Sequence, residues 1–591
     1  MRLAVCLLAV AACSDSPNDS GNTIAFDPNA DLTSPDHYWD YPYPSDTRLA
    51  ADGTVDFTGF PNTRSLPIVN DLLTGAKRRA GFPTMPIAYF RFIGTVPQKQ
   101  LGTIDPNAII VDIDDASPEK GTKYPTVAQS LADDMYTGHG LVAVAPYPGL
   151  VLRAHTKYSV VLTHAFAPQT TSPAAWTKVV DGIDDQLVST EFTTGDEGAV
   201  LQQRSDAIKS QYHVTIDGLH ATGTHADFCE LVGTVTMPQF QLGTQPFDTQ
   251  GNFALDGNGV PMKQGDMTIP VTIVIPNGTM PAGGWPLWQF FHGSGGASTD
   301  LVDDGPTLVA GGTPTPGEGP GAVVARRGIA SVSSAMPLNP ERMPTATEFE
   351  YLNFSNLSSF PYTFQQGVFE QRMLLDAVQD LQIPAATVAS CANVAQTAHF
   401  FDKTKLVAGG HSMGGMYTNM VASVEPRYGA LTPFGAGGFW NLMILETAVV
   451  PGGRGFLATI LSVDAESFTF VHPTLGLLAQ GWEIADPLTS MARINRRPLP
   501  GMAKRFIYEP VGENDEYFPN DIYDAAALAY GNKQAGDQVW PTMQTSLAVD
   551  HLDGMVNYPE SPDRRTSSAS SCSTPATGSS TRTRFIASST P

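Results

Sequence analysis

Apolar residues follow two different rhythms along the chain. From about residue 26 to 195, short apolar runs alternate with turn residues: Met85 to Gly94, Ala108 to Ile113, Leu141 to Ala145, Tyr158 to Thr163 and Glu191 to Thr194. Asp105-Pro106, Pro146-Tyr147-Pro148 and Gly195 break them, and few helical patterns intervene. Runs of this length between such breakers predict strands, here an all-β sandwich, Ig-like in its spacing.

A helix predicted around Ser205 to Gln211 and a second around His225 to Val232 then make residues 196–265 a helical connector. Beyond it the rhythm changes. Strand-like runs at Thr268 to Ile275, Leu287 to Phe291, Ile329 to Ser333, Lys405 to Ala408 and Arg505 to Tyr508 are separated by longer helical ones. Phe369, Met373, Ala377 and Leu381 recur every four residues and stop before Pro384, the stripe of a helix lying on a sheet. Strands alternating with helices predict a mostly parallel central sheet over residues 266–559.

The two ends differ from this body. Leu3 to Ala12 is an apolar run behind Arg2, too short for a membrane span and shaped like a signal peptide. Its end, Val10-Ala11-Ala12-Cys13-Ser14, resembles the lipobox of bacterial lipoproteins, in which the cysteine is acylated and becomes the mature N-terminus. The alternative is an ordinary secretory signal with Cys13 incidental. Both place the protein outside the cytoplasm, with residues 1–12 as signal and 13–42 as tether and lead-in to a sandwich at 43–195. At the other end, residues 560–591 are Ser/Thr-rich and too poor in apolar residues to offset their ordering entropy, so a disordered tail is expected.

Charge narrows the partners. Among 591 residues, 34 Lys and Arg stand against 58 Asp and Glu, a net charge of −24 that repels phosphate backbones and makes nucleic acid an unfavourable partner. Hydrophobic residues make up 42% and charged ones 16%, enough apolar material for sizeable cores. Of five cysteines, Cys6 and Cys13 belong to the signal region and Cys572 to the tail. Cys229 and Cys391 remain, either as a disulfide suited to an oxidising compartment or as two buried thiols. No His or Cys cluster suggests a metal, and no cofactor motif is present.

The chemistry concentrates at Gly410-His411-Ser412-Met413-Gly414, between the run ending in Ala408 and a helical run that reaches Val424 before Pro426. A serine on a tight strand-to-helix turn needs small residues two positions to either side, which makes Ser412 the expected nucleophile. Upstream, Phe290-Phe291 leads into His292-Gly293-Ser294-Gly295-Gly296, which resembles the H-G-G-G loop of lipases and esterases with Ser294 in place of one glycine. The expected oxyanion donors are backbone N–H groups at Gly293 and Ser294 and at Met413, with His292 a structural residue of the loop.

A serine needs a base and an orienting acid, which follow it in the order serine, acid, histidine. Only His472 and His551 come after Ser412. His551 alone also follows the strand-like Phe506 to Val511 and its Gly512 turn, so Asp515 is the expected acid and His551 the expected base. Glu513 is the main rival acid and Asp486 a weaker one.

Over roughly Asp266 to Tyr558 the chain thus resembles the α/β-hydrolase superfamily. Ala25-Phe26-Asp27-Pro28, Pro42-Tyr43-Pro44-Ser45-Asp46 and Asp56 to Pro61 are similar to the N-terminal region of bacterial virulence-factor lipases, surface lipoproteins acting on lipid esters. The resemblance implies a lipase, lysophospholipase or carboxylesterase without metal or organic cofactor, tethered to an outer or cell-surface membrane by its N-terminal lipid. Residues 439–490 stand where this fold inserts a cap, and their apolar side chains suit hydrophobic acyl groups. A polyester depolymerase and a non-catalytic surface binding protein are the competing readings. The chain departs from the pattern at its end, where a Ser/Thr-rich stretch stands in place of a closing helix.

Overall fold

The computed structural model describes residues 21–309, 312–512, 515–534, 541–552 and 583–587. The signal region with Cys13, the acid candidate Glu513, Cys572 and most of the tail lie outside them. Among the described residues no helix is long and apolar enough to cross a membrane.

Eight strands build the N-terminal part: β1 (Thr23–Ile24), β2 (Ala88–Ile93), β3 (Ala108–Asp112), β4 (Lys123–Tyr124), β5 (Thr126–Ser130), β6 (Leu141–Pro146), β7 (Lys157–Thr163) and β8 (Gln186–Thr193). They form two antiparallel sheets, ordered β1-β2-β6-β5 and β4-β3-β7-β8. This is a sandwich, but two sheets of four in this order do not reproduce the Ig arrangement of strands ABED and CFG. Folding also starts before residue 43, since β1 pairs with β2 and Tyr38 and Trp39 are buried. The unbroken apolar run Leu141 to Ala145 has its reason in β6, every residue of which is buried.

Among the described residues ten more strands make the main sheet: β9 (Ile216–Thr224), β10 (Phe228–Gln239), β11 (Gly265–Pro276), β12 (Trp285–Phe291), β13 (Ala330–Ser334), β14 (Phe401–His411), β15 (Ala430–Phe434), β16 (Phe506–Gly512), β17 (Lys533–Gln534) and β18 (Thr583–Ala587). Their order is β17-β18-β16-β15-β14-β12-β13-β11-β10-β9. The block β13, β12, β14, β15, β16 is parallel. The flanks are antiparallel, so the sheet is mixed rather than mostly parallel. Because β13 inserts between β11 and β12, the chain leaves β12 outward, crosses back, and reaches β14 on the other side of β12. That crossing puts the C-terminal ends of β12 and β14 side by side, Phe291 opposite Gly410.

Two elements differ from expectation. The helix at Ser205 to Gln211 exists, as part of Glu197–Gln211, but residues 225–232 are not helical. Residues 225–227 are the turn from β9, and Phe228 to Val232 open β10, which with β9 extends the sheet, so the connector is half strand. Phe228, Leu231 and Val235 are spaced three and four apart, a helical spacing that a long strand with register shifts also satisfies by burying irregularly. In the tail, Thr583 to Ala587 pairs with β16 from Tyr508 to Gly512 on one side and with β17 on the other, so these five residues are a strand of the main sheet. Thr, Phe and Ile are strand formers, and the open edge of β16 offers them a ladder.

The segment between β15 and β16 carries the helices Trp440–Glu446, Gly453–Leu461, Pro473–Trp482 and Pro487–Asn495. They bind the sandwich to the main sheet. Tyr89 Oη donates to Val471 O at 3.0 Å, Tyr136 Oη to Leu461 O at 3.1 Å, and Arg79 pairs with Glu197 at 2.9 Å while also donating to Gly481 O. One apolar core runs through both parts. Cys229 of β10 is disulfide-bonded to Cys391, with 5.7 Å between the α-carbons.

Candidate active site

Ser412 is the turn between β14, the central strand of the parallel block, and the wholly buried helix Met413–Val424. Its backbone has φ 57° and ψ −118°, a region that costs a residue with a β-carbon on the order of 1–3 kcal/mol. The turn is held by its surroundings: Ser412 N donates to Phe434 O at 2.9 Å, and Met416 N to Ser412 O at 3.1 Å. The two motif glycines have a steric reason. A β-carbon on Gly410 would stand 2.5 Å from both Phe291 O and Gly414 O, and one on Gly414 would overlap Phe291 O. The side chain of the serine is thereby presented at the end of the sheet.

The loop after β12 faces it. His292 is completely buried; its Nδ1–H donates to Gly293 O at 2.7 Å and its Nε2 accepts from Met336 N at 2.9 Å. Burial pushes its pKa down to about 4, which keeps it neutral and structural. Asn339 Oδ1 takes Gly295 N at 2.7 Å and Glu341 Oε2 takes Ser298 N at 2.6 Å, fixing the loop beyond. Among the described residues, no acceptor takes the N–H of Gly293, Ser294 or Met413. These are the groups expected to receive a developing oxyanion, and Gly293, Ser294 and Ser412 line one cleft of about 370 Å³.

Asp515 lines the same cleft. Its Oδ1 accepts from Tyr517 N at 2.7 Å and Phe518 N at 3.2 Å, and its Oδ2 accepts from Tyr523 Oη at 2.7 Å. The weaker acid candidate is spent elsewhere: Asp486 is buried, caps the helix Pro487–Asn495 through Leu488 N, and accepts from Phe439 N at 2.9 Å and Trp440 N. His472 is likewise spent, buried between Asp134 at 2.9 Å and Thr474 Oγ1 at 2.8 Å.

Ser412 and Asp515 are brought together; His551 is not with them. It stands exposed on the turn after the helix Pro541–Ala548, beside Asp550, which pairs with Arg496 at 2.5 Å. Arg496 also donates to Leu528 O, near the end of the helix Asn520–Tyr530 remote from Asp515. The histidine that does line the cleft is His411, next to the nucleophile and exposed. Its position was open to sequence reasoning, but adjacency to Ser412 says nothing about which way a ring turns.

The expected cap is also absent from the cleft, since no residue of 439–490 is among those lining it. Trp440, Leu442, Leu475 and Trp482 among its apolar side chains are buried in the core shared with the sandwich instead, while Val450, Phe456 and Ile460 are exposed. The lining is acidic: Asp300, Asp303, Asp304, Glu348 and Asp515 all face it, with Tyr517 and Phe518 as its aromatic wall. No group of His, Cys, Asp or Glu among the described residues is arranged to hold a metal.

No protein-family model matches the chain, and no curated protein matches it. Among solved structures, it is similar to an acetyl xylan esterase from Paenibacillus sp. R4 at 15% identity, covering 51% of this chain and 76% of that one, with a TM-score of 0.30. Acetyl xylan esterase 1 from Thermoanaerobacterium sp. JW/SL YS485 gives 12% identity, 56% and 83% coverage and a TM-score of 0.34. The esterase LipA from Xanthomonas oryzae, which degrades rice cell walls, gives 15% identity, 39% and 52% coverage and a TM-score of 0.22. Likenesses this distant carry no argument about activity or substrate.

Proposed function

We propose that the protein is a serine hydrolase of carboxylic esters, acting from outside the cytoplasm. One observation carries the reading: Ser412 sits on a strained turn, in one cleft with a half-buried carboxylate and backbone N–H groups that no acceptor occupies. Strain of this kind persists only where the surrounding structure imposes it.

In the proposed reaction Ser412 Oγ attacks the ester carbonyl carbon as its proton passes to a histidine. The carbonyl electrons move onto oxygen, which the N–H groups of Ser294 and Met413 receive. The C–O bond to the alcohol then breaks, the alcohol leaves with the histidine's proton, and water releases the acid by the reverse sequence. Asp515 orients and balances the imidazolium. His551 is the proposed base, and this requires the turn at 549–552 to come to Asp515. A second reading makes His411 the base, favoured by its place in the cleft lining.

Acylation of Cys13 and attachment to a membrane rest on the N-terminal sequence, and loss of metabolic palmitate labelling in Cys13→Ser is the corresponding test.

Fluorophosphonate labelling and p-nitrophenyl acetate turnover test the chemistry in the intact chain. Ser412→Ala should lose the label and at least about 10³-fold in kcat. His551→Ala should fall comparably while His411→Ala keeps most activity; the opposite result moves the base to His411. Unlabelled, inactive wild-type protein that is otherwise folded would remove the hydrolase reading altogether.

A further inference from the structure

The loop that offers the oxyanion donors cannot fix its own shape. Residues 292–298 include Gly293, Gly295 and Gly296, and Gly295 takes φ 72°. Glycines settle no backbone conformation by themselves, whereas an oxyanion hole works only when its N–H groups already stand where the charge develops. The loop lies against the nucleophile, since a β-carbon on Gly293 would stand 3.7 Å from Ser412 Cβ. It must therefore be held there from outside.

The segment that leaves β13 holds it at three points. Met336 N donates to His292 Nε2 at 2.9 Å, and Gly295 N donates to Asn339 Oδ1 at 2.7 Å. Glu341 takes both Ser298 N at 2.6 Å and Ser298 Oγ at 2.9 Å. The loop is thus gripped at every third residue, on both sides of the donors at Gly293 and Ser294. The grip is itself anchored: Arg342 meets Glu370 of the helix Phe360–Asp380 at 2.6 Å, and both side chains are wholly buried. Asn339 is buried as well, and its Nδ2 donates to Pro337 O at 2.9 Å, so a turn of the amide forfeits both of its bonds. Leu338, buried beside it, has φ 55°, a left-handed backbone that a bulky side chain adopts only where its surroundings impose it. That outlier stands immediately before the residue that meets Gly295.

We propose that Asn339 is a positioning residue of the active site, holding the N–H groups of Gly293 and Ser294 toward the oxyanion through its bond to Gly295 N, with Glu341 and the Arg342–Glu370 pair as its mounting. The proposal rests on the hydrolase reading and adds to it a residue that does not line the cleft. Its effect belongs to the transition state, where the negative charge exists, and not to binding of the neutral ester. Misplacing such groups by about 1 Å costs about 100-fold in rate.

The test uses the full chain, with rates counted per serine that fluorophosphonate labels at completion. Asn339→Ala should lower kcat for p-nitrophenyl acetate by about 10- to 100-fold while KM stays within about threefold. The Ki of a trifluoromethyl ketone, which adds to Ser412 as a tetrahedral adduct with its oxygen in the same hole, should rise by about the factor lost in kcat/KM. Asn339→Asp, which keeps an acceptor for Gly295 N, should recover at least about threefold of the loss. A residue that only supports the fold would instead reduce the number of labelled serines and leave kcat per serine and the ketone Ki unchanged. That result overturns the proposal and leaves the hydrolase reading intact. Should Asn339→Ala fail to fold, Asn339→Ser takes its place with the same expectations, since its hydroxyl is too short to reach Gly295 N and leaves the buried site polar. Wild-type protein that takes no label removes the hydrolase reading, and the proposal with it.

Discussion

Tyr523 donates its phenolic proton to Asp515 Oδ2 at 2.7 Å, from the first turn of the helix Asn520–Tyr530 onto the loop that follows β16. The carboxylate is therefore aimed by a buried ring as well as by its own loop, where Tyr517 N and Phe518 N hold the other oxygen. Asp515→Asn should keep the fold and lower kcat for p-nitrophenyl acetate by about 10³- to 10⁴-fold, as loss of an orienting acid does. Tyr523→Phe removes one hydrogen bond and should cost roughly 10-fold or less. Equal activity of wild type and Asp515→Asn would sink the role of Asp515 as orienting acid.

The steric argument for the elbow predicts opposite outcomes at two glycines. Gly414→Ala drives a methyl into Phe291 O and should destabilise by about 3 kcal/mol or more, read as a lowered urea midpoint. Gly455 lies inside the helix Gly453–Leu461 with nothing within 4 Å of an added β-carbon. Gly455→Ala should therefore stabilise by about 0.5–1 kcal/mol. A neutral Gly414→Ala would mean that β12 and the nucleophile turn do not meet as described.

Glu483 supplies a pH dependence away from the active site. It is buried where the inserted helices meet the sandwich, accepting from Thr84 N at 2.7 Å and from Thr84 Oγ1. Burial raises its carboxyl from an ordinary 4.5 to about 7, helped by Glu197 and opposed by the Thr84 hydrogen bonds and Arg493. The folded state therefore holds a proton that the unfolded chain has released between these values. Its contribution is full below about pH 4.5 and is lost as pH rises to about 7, a total on the order of 3 kcal/mol. Glu483→Gln, which keeps a neutral group there, should flatten this slope and raise the urea midpoint at pH 8. An unchanged pH profile in Glu483→Gln would place the dependence elsewhere.

The Cys229–Cys391 bond ties β10 to the loop before β14 across 162 residues of sequence. Replacing both cysteines by serine should cost about 2–4 kcal/mol. Alkylation followed by mass spectrometry of the protein as purified from an oxidising compartment should leave both cysteines unmodified until a reductant is added. Two alkylatable thiols without reductant would contradict the pairing.

Local chemistry decides much of this molecule before it folds. Runs such as Leu287 to Phe291 and Lys405 to Ala408 become β12 and β14 because a buried parallel strand needs little beyond apolar or small residues. The helix Phe360–Asp380 follows from its four-residue stripe, and the nucleophile turn from two glycines that leave no room for a side chain. In contrast, Phe228 to Val235 satisfies helical and strand spacing at once, and only the partners β9 and β11 settle it.

The destination of side chains is a question of tertiary structure. Whether residues 439–490 cover the active site or join the sandwich depends on which surface Tyr89, Tyr136 and Asp134 offer them, and those residues stand more than 300 positions away in sequence. The same holds for charge. Composition shows an excess of acid over the whole chain. Only folding gathers Asp300, Asp303, Asp304 and Glu348 around Ser412 while pairing other carboxylates with arginine, because electrostatic energy depends on separation and burial and not on the count of charges.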